Sequence, residues 1–219
     1  MLGAGMFSQN LIRLAAGRVV FHRATCGYNH HPIGNELDGV WLDSFLAEYK
    51  IARNISEAVR APLLRILLRE RAAIDSLREN DTAALLKIFH KVARDVRAKV
   101  PVESRFSNFP SAISKLVWAM RPEVGTLCDD YANKGLARVY GLDPAPRVSI
   151  TNYDFFAERW TDLWRSREFT ARRRETAAWL EKSFNGLKVT KAFNRHLLDQ
   201  CLVLTGGGAI DGNAWQYRR

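Results

Sequence analysis

The chain has 219 residues, 47% hydrophobic and 26% charged, which excludes a disordered or collagen-like polymer and is long enough to bury a core without disulfides or metal. Its 33 Lys+Arg against 23 Asp+Glu leave a formal charge of +10, which points to a polyanionic partner, nucleic acid before membrane surface or acidic protein. Three scattered cysteines, Cys26, Cys128 and Cys201, do not make a disulfide framework, a four-cysteine zinc site or an iron–sulfur cluster, and imply a reducing compartment.

In chain order, the first segment carries Arg13, Arg18 and Arg23 and no acid before Glu36. That composition resembles a transit peptide, which leaves organellar targeting as a minor alternative; no contiguous apolar stretch supports a secretory signal, and the expected reading is a basic first helix, with Val19–Phe21 as a candidate short strand. His30 and His31 beside Asn29 form a polar loop for substrate contact rather than a metal site, because adjacent histidines in extended chain point opposite ways and no HExxH spacing exists. Leu42, Phe45, Leu46 and Tyr49 then follow helical spacing, and Leu63, Ile66, Leu67, Ile74 and Leu77 continue it with Pro62 in a first turn. Leu85, Ile88, Phe89, Val92 and Val96 give the cleanest stripe, started by Asn80 or Asp81 and stopped before Pro101.

Helices are predicted at 110–121, 129–140, 152–166, 169–183 and 190–204, the last ending at a triple glycine. Val148–Ile150 is the other candidate strand. The fold class is therefore all-α with at most two short strands. The expected organisation is one domain over 1–205, with lobes at 1–105 and 106–205, followed by a flexible tail at 206–219. No apolar run approaches the roughly 18 residues of a membrane span.

Residues 108–132, NFPSAISKLVWAMRPEVGTLCDDYA, depart most from a plain bundle. Ile113, Leu116, Val117 and Met120 form the stripe of the first helix, and its other side carries Ala112, Trp118, Ala119 and two serines, so it is apolar or small nearly all round. Its one charge, Lys115, has no carboxylate three or four residues away. An amine withdrawn from water loses proton affinity, and a neutral lysine is a nucleophile. Asp129 and Asp130 open the next helix, where an aspartate caps free N–H groups. The short connection, broken by Pro122 and Gly125, brings that helix start back beside the middle of the first and sets a carboxylate near Lys115. Cys128 reads as packing, with no histidine near it in sequence. No GxGxxG, GxxxxGK[ST] or GxSxG is present, so nucleotide hydrolysis and serine-hydrolase chemistry have no support.

Ser114, Lys115, Pro122 and Asp129, with Phe109, Trp118 and Ala132, form a pattern that resembles bacterial 8-oxoguanine DNA glycosylase-like proteins, distant relatives of the helix-hairpin-helix glycosylases. The resemblance covers about 25 residues of the chain, those of the segment 108–132. It implies a two-lobed helical enzyme that turns a modified nucleotide out of double-stranded DNA and breaks its N-glycosyl bond, with no cofactor and no metal. Carried onto this chain, Lys115 attacks C1′ of the deoxyribose and Asp129 accepts the proton or steadies the cationic sugar; a lyase step through the Schiff base can follow. Phe-Pro-Ser-Ala-Ile precedes Lys115 where the family has a Gly-rich hairpin, so the hairpin's phosphate contacts are not carried over.

A glycosylase also needs groups that hold an extruded base and a cation set for phosphate. Trp118, Phe109, Trp41 and Tyr153 are the aromatic candidates, with His30, His31 and Asp130 as polar ones. Six arginines in the sixteen residues from Arg159 to Arg174, namely Arg159, Arg165, Arg167, Arg172, Arg173 and Arg174, form one phosphate-contacting group. Arg94, Arg97 and Lys99 form another. The expected protein is a monomeric enzyme of the bacterial cytoplasm, free of membrane, acting either on an oxidised purine in repair or on a modified cytosine, such as a glucosylated hydroxymethylcytosine, in defence against phage. The alternative is a non-catalytic basic helical module that only binds DNA.

Overall fold

A computed structural model describes residues 7–25, 37–48, 55, 57–99, 109–142, 152–185 and 187–207. These residues are all-helical: α1 (Gln9–Thr25), α2 (Gly39–Glu48), α3 (Glu57–Asp75), α4 (Thr82–Arg97), α5 (Phe109–Met120), α6 (Asp130–Val139), α7 (Tyr153–Arg165), α8 (Arg167–Ser183) and α9 (Lys191–Thr205). Among the described residues there is no strand, and Val19–Phe21 lies inside α1. Val148–Ile150 falls outside them.

Local chemistry accounts for the helix starts. Asp81 accepts from the Ala84 N–H at 2.9 Å to cap α4, Ser166 from Phe169 at 3.1 Å to cap α8, and Thr190 from Phe193 at 3.1 Å to cap α9. The Ser166 cap starts α8 two residues before the predicted Phe169. The third helix begins at Glu57, so Pro62 lies inside it and not in its first turn. Val59, fully buried, extends the apolar stripe of α3 toward its start, and Arg60 ties that added turn to Asp43 of α2 at 2.9 Å.

The α3–α4 hairpin supplies one side of the protein, with α2 against α3 and α5 against α4; on the other, α1 and α6 pack on α9, with α8 against α1 and α7 touching both α6 and α8. The buried side chains of the two sides form one continuous hydrophobic cluster from Phe7 to Leu204. α9 is its axis: Phe193, the run from Arg195 to Leu202, and Leu204 are all buried. Where α6 crosses α9 the backbones touch through glycines. A Cβ at Gly135 would overlap the Leu202 carbonyl oxygen, and one at Gly206 would overlap the Tyr131 carbonyl oxygen. Gly206, the first residue of the expected tail, is therefore buried structure; 208–219 lie outside the described residues. Among the described residues no helix is long and apolar enough to cross a membrane.

Candidate functional site

The connection from Met120 to Asp130 joins α5 to α6 and is anchored along its length. At its start, Arg121 donates to the carbonyls of Ile74 at 3.4 Å, Asp75, and Leu77 at 3.1 Å, satisfying acceptors that the end of α3 leaves open. Further along, the Thr126 and Tyr153 hydroxyls share a hydrogen bond of 3.1 Å. At Gly125 the loop lies directly on α5, for a Cβ there would stand 2.5 Å from the Trp118 Cα. At its end, Ser114 Oγ accepts from the Cys128 N–H at 3.2 Å, and its single proton is shared between the Cys128 carbonyl at 3.3 Å and the Ser111 carbonyl at 3.0 Å.

The two bonds to Cys128 sew the middle of α5 to the residue before Asp129. Lys115 follows Ser114, Asp129 follows Cys128, and both charges act on the buried Cys128 thiol between them. Each side chain is half-buried, so each retains access to solvent. Among the described residues Lys115 makes no ion pair, so its amine is not committed to Asp129 as a salt bridge. Asp129 Oδ1 accepts the Ala132 N–H at 2.8 Å as the cap of α6. Arg18 of α1, which sequence reasoning did not select, also lies within electrostatic reach of Asp129; burial lowers its guanidinium pKa, and the carboxylate opposes that shift. Nothing in a basic first helix distinguishes Arg18 from Arg13 before α1 is docked. Cys128 is 1% exposed with its thiol pushed well up by burial, which leaves it as packing.

The aromatic candidates divide. Trp118 is 3% exposed and meets His196 edge-on at 5.4 Å, and Tyr153 is 1% exposed and stacks on Phe89 at 3.7 Å. Both rings are enclosed by protein and present no face to an extruded base, because α5 is buried nearly all round and Tyr153 lies on the apolar stripe of α7. Trp41 is half-buried and stacks on Phe45 at 5.2 Å. Phe109 starts α5, but its side chain, like His30 and His31, is outside the described residues. Asp130 is exposed and pairs with Lys134 at 2.6 Å. Tyr131, one residue further, is a 49% exposed ring beside the candidate pair that the sequence reading passed over.

The arginine groups also divide. Arg173 lies over Trp164, 4.0 Å from the ring centroid, with its pKa lowered by burial. Arg165 donates to the Asn80 carbonyl at 2.9 Å, Arg172 to Gln9 at 3.4 Å, and Arg94 to its neighbour Asp95 at 3.1 Å. Arg159 faces Asp162 and the rings of Tyr140 and Phe155. Arg97, Lys99, Arg167 and Arg174 are exposed. Lys99 rims a groove of about 320 Å³ with Pro62, Arg65, Ile66 and Arg69. Among the described residues no group of three or more His, Cys, Asp or Glu side chains is placed to hold a metal ion.

No protein-family model, curated protein or solved structure matches the chain.

Proposed function

We propose that the protein is a DNA N-glycosylase working through Lys115 and Asp129. The observation that carries this reading is the pair of Ser114–Cys128 hydrogen bonds, which joins an amine on α5 and a carboxylate at the head of α6 through adjacent residues. The amine attacks C1′ of an extruded deoxyribose as the C1′–N bond breaks, and the base departs with that electron pair and takes its proton from water. Asp129 takes the proton that the attacking amine loses and offsets the positive charge on the sugar. Ring opening gives a Schiff base, which water hydrolyses or from which the 3′ phosphate is eliminated. The exposed cations Arg97, Lys99, Arg167 and Arg174 are the groups left to meet DNA phosphates.

Liberated nucleobase measured by mass spectrometry, after incubation with DNAs carrying an oxidised purine or a glucosylated hydroxymethylcytosine, tests the activity and separates repair from defence. Borohydride trapping on the active substrate tests the lysine. Free base from one substrate and a covalent adduct lost in Lys115→Ala support the proposal. DNA binding with no base released from either substrate overturns it in favour of a binding module.

A further inference from the structure

Deepening the excision reading, on which it rests, we propose that Arg195 and Asp199 of α9, backed by Trp160, are positioning residues. Arg195 grips the α5–α6 connection, with Asp199 and Trp160 steadying its guanidinium, so that the Asp129 carboxylate stays beside the Lys115 amine. The two side chains stand four residues apart, on one face of α9. Arg195 Nη2 donates to the Val124 carbonyl at 2.6 Å and the Gly125 carbonyl at 3.3 Å, while its Nε reaches the latter at 3.4 Å. Asp199, one turn on, acts electrostatically on this guanidinium and offsets part of its burial cost. One cation therefore holds two successive carbonyls of the connection, which sets the loop's direction as well as its place.

The clamp is itself held from behind. Trp160 Nε1 donates to Asp199 Oδ1 at 2.7 Å, and the Arg195 guanidinium lies 4.2 Å from the Trp160 ring centroid and 5.2 Å from that of Trp164. Burying such groups opposes folding: the Asp199 carboxyl is pushed well up, and the Arg195 guanidinium is lowered to about 10. Apolar side chains would close the loop at lower cost but would not fix which way its amides point. On the opposite side Gly125 rests on the Trp118 backbone, so the loop cannot move toward α5, and the clamp stops it moving away. Arg195 is 3% exposed and Asp199 1%, so neither contacts DNA.

The test uses the full chain with Asp199→Asn and, as a gentler change that removes only the indole donor, Trp160→Phe. Amide hydrogen exchange over 124–129, DNA affinity and single-turnover base release are measured on each folded variant. The expected result is faster exchange confined to that loop and a release rate lower by about 100-fold, the effect of roughly 1 Å of misplacement, at unchanged DNA affinity. Wild-type exchange over 124–129 in the folded variants, or loosened exchange with wild-type release, overturns the clamp. A fall in DNA affinity that accounts for the lost activity overturns it as well. If Asp199→Asn does not fold, Trp160→Phe decides alone. Wild-type protein that releases no base at all overturns the excision reading itself, a result distinguishable from clamp failure because no variant is involved.

Discussion

In the proposed mechanism Lys115 supplies an amine that bonds to C1′ and Asp129 a carboxylate that handles the proton, so their variants differ in kind. Lys115→Ala abolishes borohydride trapping. Asp129→Asn, measured by single-turnover base release, falls by roughly 10²- to 10⁴-fold, the range for loss of a general acid–base group, while the amide still caps α6. Asp199 supplies a pH signature. Burial raises its native pKa above the unfolded value near 3.8, so over that window the native state binds more protons than the unfolded state, and the group's contribution to stability falls as pH rises. Thermal melts at increasing pH above 3.8 therefore shift in favour of Asp199→Asn relative to wild type. Equal pH dependence in the two proteins refutes the assignment. Arginines in one sequence cluster separate in the same way. Arg173→Ala removes a guanidinium stacked on Trp164 and destabilises by roughly 1–2 kcal/mol in chemical denaturation, whereas Arg174→Ala leaves stability unchanged.

Between elements, the α6–α9 crossing is the contact most sensitive to a small change. Gly135→Ala places a methyl group on the Leu202 carbonyl and forces the helices apart, with an expected loss of roughly 3 kcal/mol, the upper end for overpacking, readable as a lower denaturation midpoint. The helices themselves are legible in the sequence, since 3.6-residue spacing, caps at Asp81, Ser166 and Thr190, and the glycine stop after Thr205 are local signals. Which buried face a side chain occupies is less so. Trp118 and Tyr153 have the aromatic chemistry of base-stacking residues, yet docking buries α5 nearly all round and, on α7, the stripe that holds Tyr153. Arg195 and Asp199 have the spacing of an exposed i,i+4 pair, and they become interior because α9 is covered on every side. The one signal that points inward is their place among Phe193, Leu197, Leu198, Cys201 and Leu202, apolar residues that leave no polar face.

For the molecule as a whole, charge sets binding and its salt dependence. The net charge of +10 predicts DNA affinity that falls steeply with salt. Arg167→Ala and Arg174→Ala each reduce the slope of log K against log[salt] by about 0.9 if their side chains meet phosphate. Arg165→Ala and Arg172→Ala, whose side chains bond to Asn80 and Gln9, leave it near the wild-type value. Titrations over a salt series on unmodified duplex separate the two sets.

The fold class, the starts of α4, α6 and α9 and the approach of Lys115 to the head of α6 are determined by the sequence itself, because apolar period, capping chemistry and a short connection act over a few residues. The tertiary structure alone decided that Arg18 comes within electrostatic reach of Asp129, that five of the eight candidate arginines bond or stack within the protein, and that an arginine of α9 bonds to the loop between Lys115 and Asp129. Those facts depend on how helices distant in sequence dock, and docking rests on the summed burial of many apolar side chains, which no local spacing of charged residues reports.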